Sequence, residues 1–218
     1  PVVSASTGMC LGGGCEVLLH SDAVQAHSES YIGLVEVGVG IIPAWGGCKE
    51  MLGRLTQNGY AAGGPMGPVT SAFETIALAK VAKSAQQAQD IGYLTHDDRI
   101  TMNRSRLIYD AKQLVLELSI DYEPPTPHVF HLPGRTGKAA LALAVSDLRR
   151  SGRATPHDVT VSDALAEILS GGDTDMVDIL TEEDVLELER EAIGRLARHE
   201  DSLARMEHML VTGKPLRN

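Results

Sequence analysis

Residues 11–16 read Leu-Gly-Gly-Gly-Cys-Glu and residues 33–38 read Gly-Leu-Val-Glu-Val-Gly, so two glutamates stand twenty residues apart, each close to glycine. A glycine-rich bend that opens a helix exposes backbone N–H groups, and the helix dipole favours negative charge placed there. Glu16 one turn in and Glu36 on the next element would be two proton carriers beside an oxyanion site. That equipment suits chemistry through an enolate. Glu16 is flanked by Cys15 and Val17-Leu18-Leu19, and Glu36 by Leu34, Val35, Val37 and Val39. A buried carboxylate is costly unless paired or used. For either glutamate alone a satisfied structural carboxylate is the commoner case, but two in apolar company beside glycine loops point to a functional pair.

Working outward, Val2–Thr7 reads as a strand and 8–14 as a loop holding four glycines. Cys15–Leu19 reads as a buried helix, and Asp22–Ala26 and Tyr31–Val35 as short strands. A second loop, 38–47, holds four glycines and Pro43, followed by a helix over Cys48–Leu55. Residues 56–67 read as a flexible stretch. Helical spacing returns over Val69–Ala79, and Ser84-Ala-Gln-Gln predicts a capping box opening a helix that stops at Gly92. Further helices are predicted over 103–118, 137–151, from Thr155-Pro156 to about Ser170, from Thr181 onward and over 201–210. Residues 121–133 carry four prolines and read as an extended linker. The expected segmentation is a core over 1–120, a linker over 121–136 and a helical region over 137–218.

The 218 residues carry a net charge of −10 with scattered basic residues, which argues against a nucleic-acid partner. Cys10, Cys15 and Cys48 form no CxxC pair, so neither a disulfide framework nor a cysteine zinc site is indicated, and no metal is expected. A reducing cytoplasm is the default location. No apolar run approaches the roughly 20 residues that span a bilayer. The chain opens on Pro1 with a strand already under way, so an upstream segment is expected to be missing. No Gly-Lys-Ser/Thr is present, and Gly38-Val-Gly40-Ile-Ile-Pro43 lacks the third glycine of a dinucleotide fingerprint. What remains is a loop whose amides can donate to a carbonyl oxygen.

Pro1-Val-Val-Ser-Ala through Glu16, then Gly33-Leu-Val-Glu36, then Gly40-Ile-Ile-Pro43-Ala-Trp-Gly-Gly47 strongly resembles the crotonase (enoyl-CoA hydratase/isomerase) superfamily. The resemblance extends through the Ser84–Leu94 helix and weakly to the end, where the tail looks like that of bacterial multifunctional 3-hydroxyacyl-CoA dehydrogenases carrying a hydratase module. It implies an α/β fold, a truncated ββα spiral core followed by a largely helical C-terminal region. It implies that Gly13 N–H is one of two donors to a thioester oxygen, its partner lying upstream. It maps the two hydratase glutamates onto Glu16, the water-activating base, and Glu36, the proton donor to C2. It implies Gly12, Gly14, Pro43, Trp45 and Gly46 as the substrate-contacting positions of the same loops. For Trp45, the sole tryptophan, core packing is the commoner alternative to an acyl pocket. His20 and His27 are given surface or core roles, and Lys214 and Arg217 a solvated tail rather than a CoA phosphate.

The implied activity is hydration of a trans-2-enoyl-CoA within a fatty-acid β-oxidation enzyme. The chain itself needs no cofactor; NAD would serve an attached dehydrogenase region, the expected partner. Self-association stays open. Family members that only isomerise the double bond usually keep the second glutamate and lose the first, so hydration is favoured over isomerisation. The reading from a different class is a non-catalytic helical assembly domain, with the site left incomplete.

Overall fold

The computed structural model describes residues 1–57 and 64–218, and the chain divides into two compact units, 1–34 with 80–127 and 35–79 with 128–218. This differs from the expected segmentation at 121–136: the segment 35–79 belongs with the C-terminal helices rather than with the strands.

The first unit is built from strands that alternate between two parallel pairings. Strands β1 (Val3–Ser6), β3 (Ala23–His27) and β5 (Arg99–Thr101) form one sheet in the order β1–β3–β5. Strands β2 (Met9–Leu11) and β4 (Tyr31–Gly33) pair beside it, Cys10 opposite Ile32. Helix α1 (Gly13–Leu19) follows β2, and α4 (Ala85–Ile91) packs on β4, so each turn of the chain is strand, strand, helix. Helix α5 (Leu107–Leu118) lays Leu107, Ala111 and Leu114 on β1 and β3.

Three details correct the sequence reading. The stretch 8–14 is not all loop, because Met9–Leu11 pairs as a strand and α1 starts at Gly13. Strand β5, unforeseen, has its Thr101 accepting from buried Gln25 Nε2 at 2.8 Å. The Ser84 cap is present, receiving Gln87 N–H at 3.1 Å, while the Gln87 side chain accepts from Lys83 N rather than from Ser84.

The chain leaves this unit after Leu34 and returns at Lys80. Tyr93, fully buried, ties the two ends together: its hydroxyl donates to Lys80 O at 2.8 Å and accepts from Leu34 N–H at 3.2 Å. An antiparallel bridge between Ile32 and Ala82 reinforces the junction.

The second unit is largely helical. It holds α2 (Gly47–Leu55), α3 (Met66–Ala77), α6 (Gly134–Arg150), α7 (Pro156–Ser170), α8 (Glu182–Leu196) and α9 (Glu200–Thr212). Helices α6, α3, α2 and α8 pack on α7, whose Val161, Leu165, Ile168 and Leu169 are buried. Of the expected flexible stretch 56–67, residues 58–63 lie outside the described residues, and Met66 already starts α3. The proline-rich segment is only partly linker. Val129–Phe130 (β6) pairs antiparallel with Leu180–Thr181 (β7), and Phe130 and Leu132 are buried. Helices α7 and α8 both open with capping boxes, Thr155 with Asp158 and Thr181 with Asp184.

Glu189, on α8 and fully buried, caps a different helix. Its two carboxylate oxygens accept from Gly46 N and Lys49 N, each at 2.8 Å, at the start of α2. Charge-assisted bonds to first-turn amides, placed at the positive end of the dipole, hold α2 and the loop before it against α8.

Two substitutions test these ties. Tyr93→Phe leaves Leu34 N–H and Lys80 O without their buried partner and should cost about 1–3 kcal/mol, read as a lowered urea midpoint. Glu189→Gln keeps the shape but loses the charge and one acceptor oxygen. A destabilisation of about 1–3 kcal/mol is expected, with faster amide exchange at Gly46 and Lys49. Unchanged exchange there would remove Glu189 as the cap.

Candidate active site

In the first unit four of the expected residues, Gly12, Gly13, Gly14 and Glu16, lie at one strand-to-helix junction. Gly12 takes φ 57° and ψ −130°, a conformation that side chains strongly disfavour, and its N–H donates to Gly33 O at 2.9 Å. The bend is thereby locked to the end of β4, and α1 begins at Gly13. First-turn amides of a helix lack intrahelical acceptors, so Gly13 N–H belongs to a set available to an oxygen atom. Gly14 O accepts from Cys10 Sγ at 3.1 Å, which fixes the inner side of the turn.

Glu16 sits in the first turn of α1 and is 5% exposed, among buried Cys15, Leu18 and Leu19. Desolvation of this carboxylate, expected from its neighbours in sequence, is observed. His20 is a surface residue with Nδ1 2.8 Å from Glu16 O, and His27 is buried, its Nδ1 accepting from Glu29 N–H at 3.3 Å. Burial pushes the Cys10 thiol above its ordinary range, which keeps it protonated.

In the second unit Glu36 does not stand on a strand or in open loop. It opens a single 3-10 turn, Glu36–Val39, closed by Gly40 in the left-handed region at φ 80°. Both Glu36 carboxylate oxygens are hidden from solvent. The turn is gripped by α9: Ser202 Oγ donates to Gly40 O at 2.6 Å and Arg205 Nη1 to Val37 O at 3.4 Å. Arg205 is 3% exposed and pairs with Asp158 at 2.8 Å. Burial acts to raise the Asp158 carboxyl, but hydrogen bonds from Thr155 and Arg205 outweigh it and hold it below the usual carboxylate range.

Pro43 is buried and its carbonyl accepts from Cys48 Sγ at 3.2 Å; Gly46, left-handed at φ 84°, presents its amide to Glu189. Trp45 corrects the packing expectation: its side chain is 77% exposed and is no part of the core. The tail is not merely solvated either, since Arg217 Nη2 donates to Arg153 O at 2.9 Å. A cavity of about 320 Å³ lies beside the turn, lined in part by Val37, Gly38, Leu78, Asp158, Arg205 and Arg217, but none of the expected site residues lines it.

The structure thus gathers Gly12, Gly13, Gly14 and Glu16 in one unit, and Glu36, Pro43, Trp45 and Gly46 in the other. Sequence reasoning missed the residues that hold the second group: Glu189, Ser202 and Arg205. Their only sequence signal is a polar side chain placed on the apolar stripe of a long helix.

Residues 1–61 match the family model described as enoyl-CoA hydratase/isomerase. The chain is 45% identical over 219 residues, 100% of its length and 27% of the relative's, to a Bacillus subtilis protein named "Probable 3-hydroxyacyl-CoA dehydrogenase". A Clostridium acetobutylicum short-chain-enoyl-CoA hydratase is 44% identical over 61 residues, 28% of this chain and 23% of that one. The carnitinyl-CoA hydratase structure from Mycobacterium avium shares the fold with a TM-score of 0.57 at 18% identity, covering 99% of this chain and 62% of its own. The chain therefore spans about a quarter of the curated relative it matches from end to end. With the glycine bend, the alternating strand pairs and these likenesses together, the chain belongs to the crotonase (enoyl-CoA hydratase/isomerase) superfamily.

Proposed function

We propose that the chain carries the enoyl-CoA hydratase reaction of a longer fatty-acid β-oxidation enzyme. Water adds across a trans-2-enoyl-CoA to give 3-hydroxyacyl-CoA, and an NAD-dependent dehydrogenase region of the same polypeptide oxidises that product. The observation that carries the reading is Glu16, 5% exposed, one turn behind a bend that glycine alone adopts readily. The relatives named for 3-hydroxyacyl-CoA dehydrogenase and short-chain-enoyl-CoA hydratase support the pairing of activities.

In this reading Glu16 takes a proton from water as the water oxygen bonds to C3. The electrons of the C2–C3 double bond move into the thioester, leaving an enolate oxygen that accepts from Gly13 N–H. One such donor is typically worth about 3 kcal/mol, a hundredfold or more in rate. The enolate then collapses and C2 takes its proton from Glu36. Pro43, Trp45 and Gly46 shape the acyl and thioester contacts, with Trp45 already at the surface. Isomerisation of a 3-enoyl-CoA needs a single carboxylate, so a desolvated Glu16 favours hydration.

In the full-length enzyme, Glu16→Gln should lower kcat for crotonyl-CoA hydration by about 10²–10⁴-fold, with oxidation of 3-hydroxyacyl-CoA unchanged. Hydration within a few-fold of wild type would take Glu16 out of the mechanism.

Glu36→Gln should lose a comparable factor, and the double variant should fall no more than about tenfold below either single one. Losses that multiply in full would show that the two carboxylates do not work as one unit.

A further inference from the structure

We propose that His157, His199 and Asp201 form a binding site for one divalent transition-metal ion of the zinc type, where the first turn of α7 meets that of α9.

His157 is 1% exposed. Its Nε2 stands 2.8 Å from Ser202 Oγ, and that hydroxyl stands 2.6 Å from Gly40 O. A carbonyl oxygen only accepts, so the one hydroxyl hydrogen goes to Gly40, and Ser202 must accept from His157 Nε2–H. The neutral ring is left with a bare lone pair on Nδ1. That atom is buried and, among the described residues, has no hydrogen-bond partner. It faces another acceptor, Asp201 Oδ2, at 3.9 Å. The same oxygen lies 3.8 Å from His199 Nδ1, which at present accepts from Asp201 N–H at 3.2 Å and would exchange that bond for the ion. The two imidazoles stack with centroids 4.7 Å apart. Asn218 Nδ2 takes the other side of the carboxylate, donating to Asp201 Oδ1 at 3.3 Å, so Oδ2 is left toward the histidines.

The facing lone pairs of His157 Nδ1 and Asp201 Oδ2 need a cation or a proton between them. Burial, then the charges of Arg205 and His199, hold the His157 imidazole below the ordinary histidine range, with Asp201 pulling the other way. The Arg205 charge that would also repel a metal is matched by Asp158 at 2.8 Å.

Two imidazoles and a carboxylate suit zinc and its borderline neighbours. Bonds of about 2.1 Å in a tetrahedron set ligands about 3.4 Å apart. The three donor atoms lie within 4.8 Å of one another, with the carboxylate 3.9 and 3.8 Å from the two imidazoles, so the exposed His199 and Asp201 side chains must move in to close the site. The His199 and Asp201 side chains are 38% and 47% exposed, which gives the ion an entry path and a place for water as fourth ligand. The Ser202 bond that sets the His157 tautomer also holds Gly40, so the ion would pin the cap of the Glu36 turn.

Zinc titration of the chelator-treated full-length protein, followed by calorimetry, tests the site, with cobalt as a spectroscopic stand-in. One equivalent should bind with micromolar or tighter affinity, raise Tm, and give cobalt the visible bands of four-coordinate geometry. His199→Asn preserves the helix cap that His199 now supplies to Asp201 N–H, and Asp201→Asn preserves the side-chain shape. Each should weaken binding about 100-fold or more while the metal-free fold persists by circular dichroism. Ser202→Ala, which frees the tautomer, should weaken it about 10- to 100-fold. Absence of saturable binding, or equal affinity in the His199 and Asp201 variants, would overturn the proposal.

Discussion

A glycine loop has no side chains with which to pack, so its backbone donors and acceptors must be anchored from outside the loop. Both loops of this chain meet that constraint by borrowing partners distant in sequence. In the first unit Gly12 N–H is held by Gly33 O, and the strand that carries Gly33 is in turn tied to Lys80 through Tyr93. In the second unit Gly40 O is held by Ser202, and Gly46 N–H and Lys49 N–H by Glu189. Remove these anchors and the bends become ordinary flexible glycine, with amides free to turn toward water.

Wholly or partly buried carboxylates in this chain differ in their surroundings. Glu189 is spent on structure, since each oxygen receives a helix-start amide. Asp158 is likewise accounted for, by Thr155 and by the Arg205 guanidinium. Glu16 and Glu36 stand beside the glycine bends themselves, where the backbone has been arranged at conformational expense. Gly12 illustrates that expense: a Cβ at φ 57° and ψ −130° would be strained, so the bend can be built only where a side chain has been given up.

Much of this was legible from short-range chemistry. The Ser84 and Thr155-Pro156 caps, the stops at Gly92 and Gly171, and the desolvation of Glu16 by its own neighbours all follow from residues within one helical turn. What escaped depends on partners far along the chain. Strand β5 is three residues long and exists because β3 is already there to pair with it. Phe130 sits between prolines and still pairs, because Leu180 offers an antiparallel edge. The exposure of Trp45 cannot be read from an apolar ring in a glycine loop, since burial is decided by what packs above it. His157 and His199 lie 42 residues apart with no motif spacing, so only the meeting of two helix starts makes them neighbours.

The same long-range dependence bears on how the helical region is to be regarded. A tail of amphipathic helices suggests an appended docking module, separable from the chemistry. The anchors argue otherwise. The turn that opens at Glu36 is closed by residues on α9, and the loop from Pro43 to Gly46 is fastened by one on α8, all within a single compact unit. Val37, Gly40, Gly46 and Lys49 therefore depend on residues some 140 to 170 positions later for the satisfaction of these backbone groups. A helix that merely docked the module elsewhere would have no reason to bury Ser202, Arg205 and Glu189 against that loop, because each buried polar group costs free energy unless its partner is in place. The C-terminal helices are thus the scaffold of the Glu36 turn.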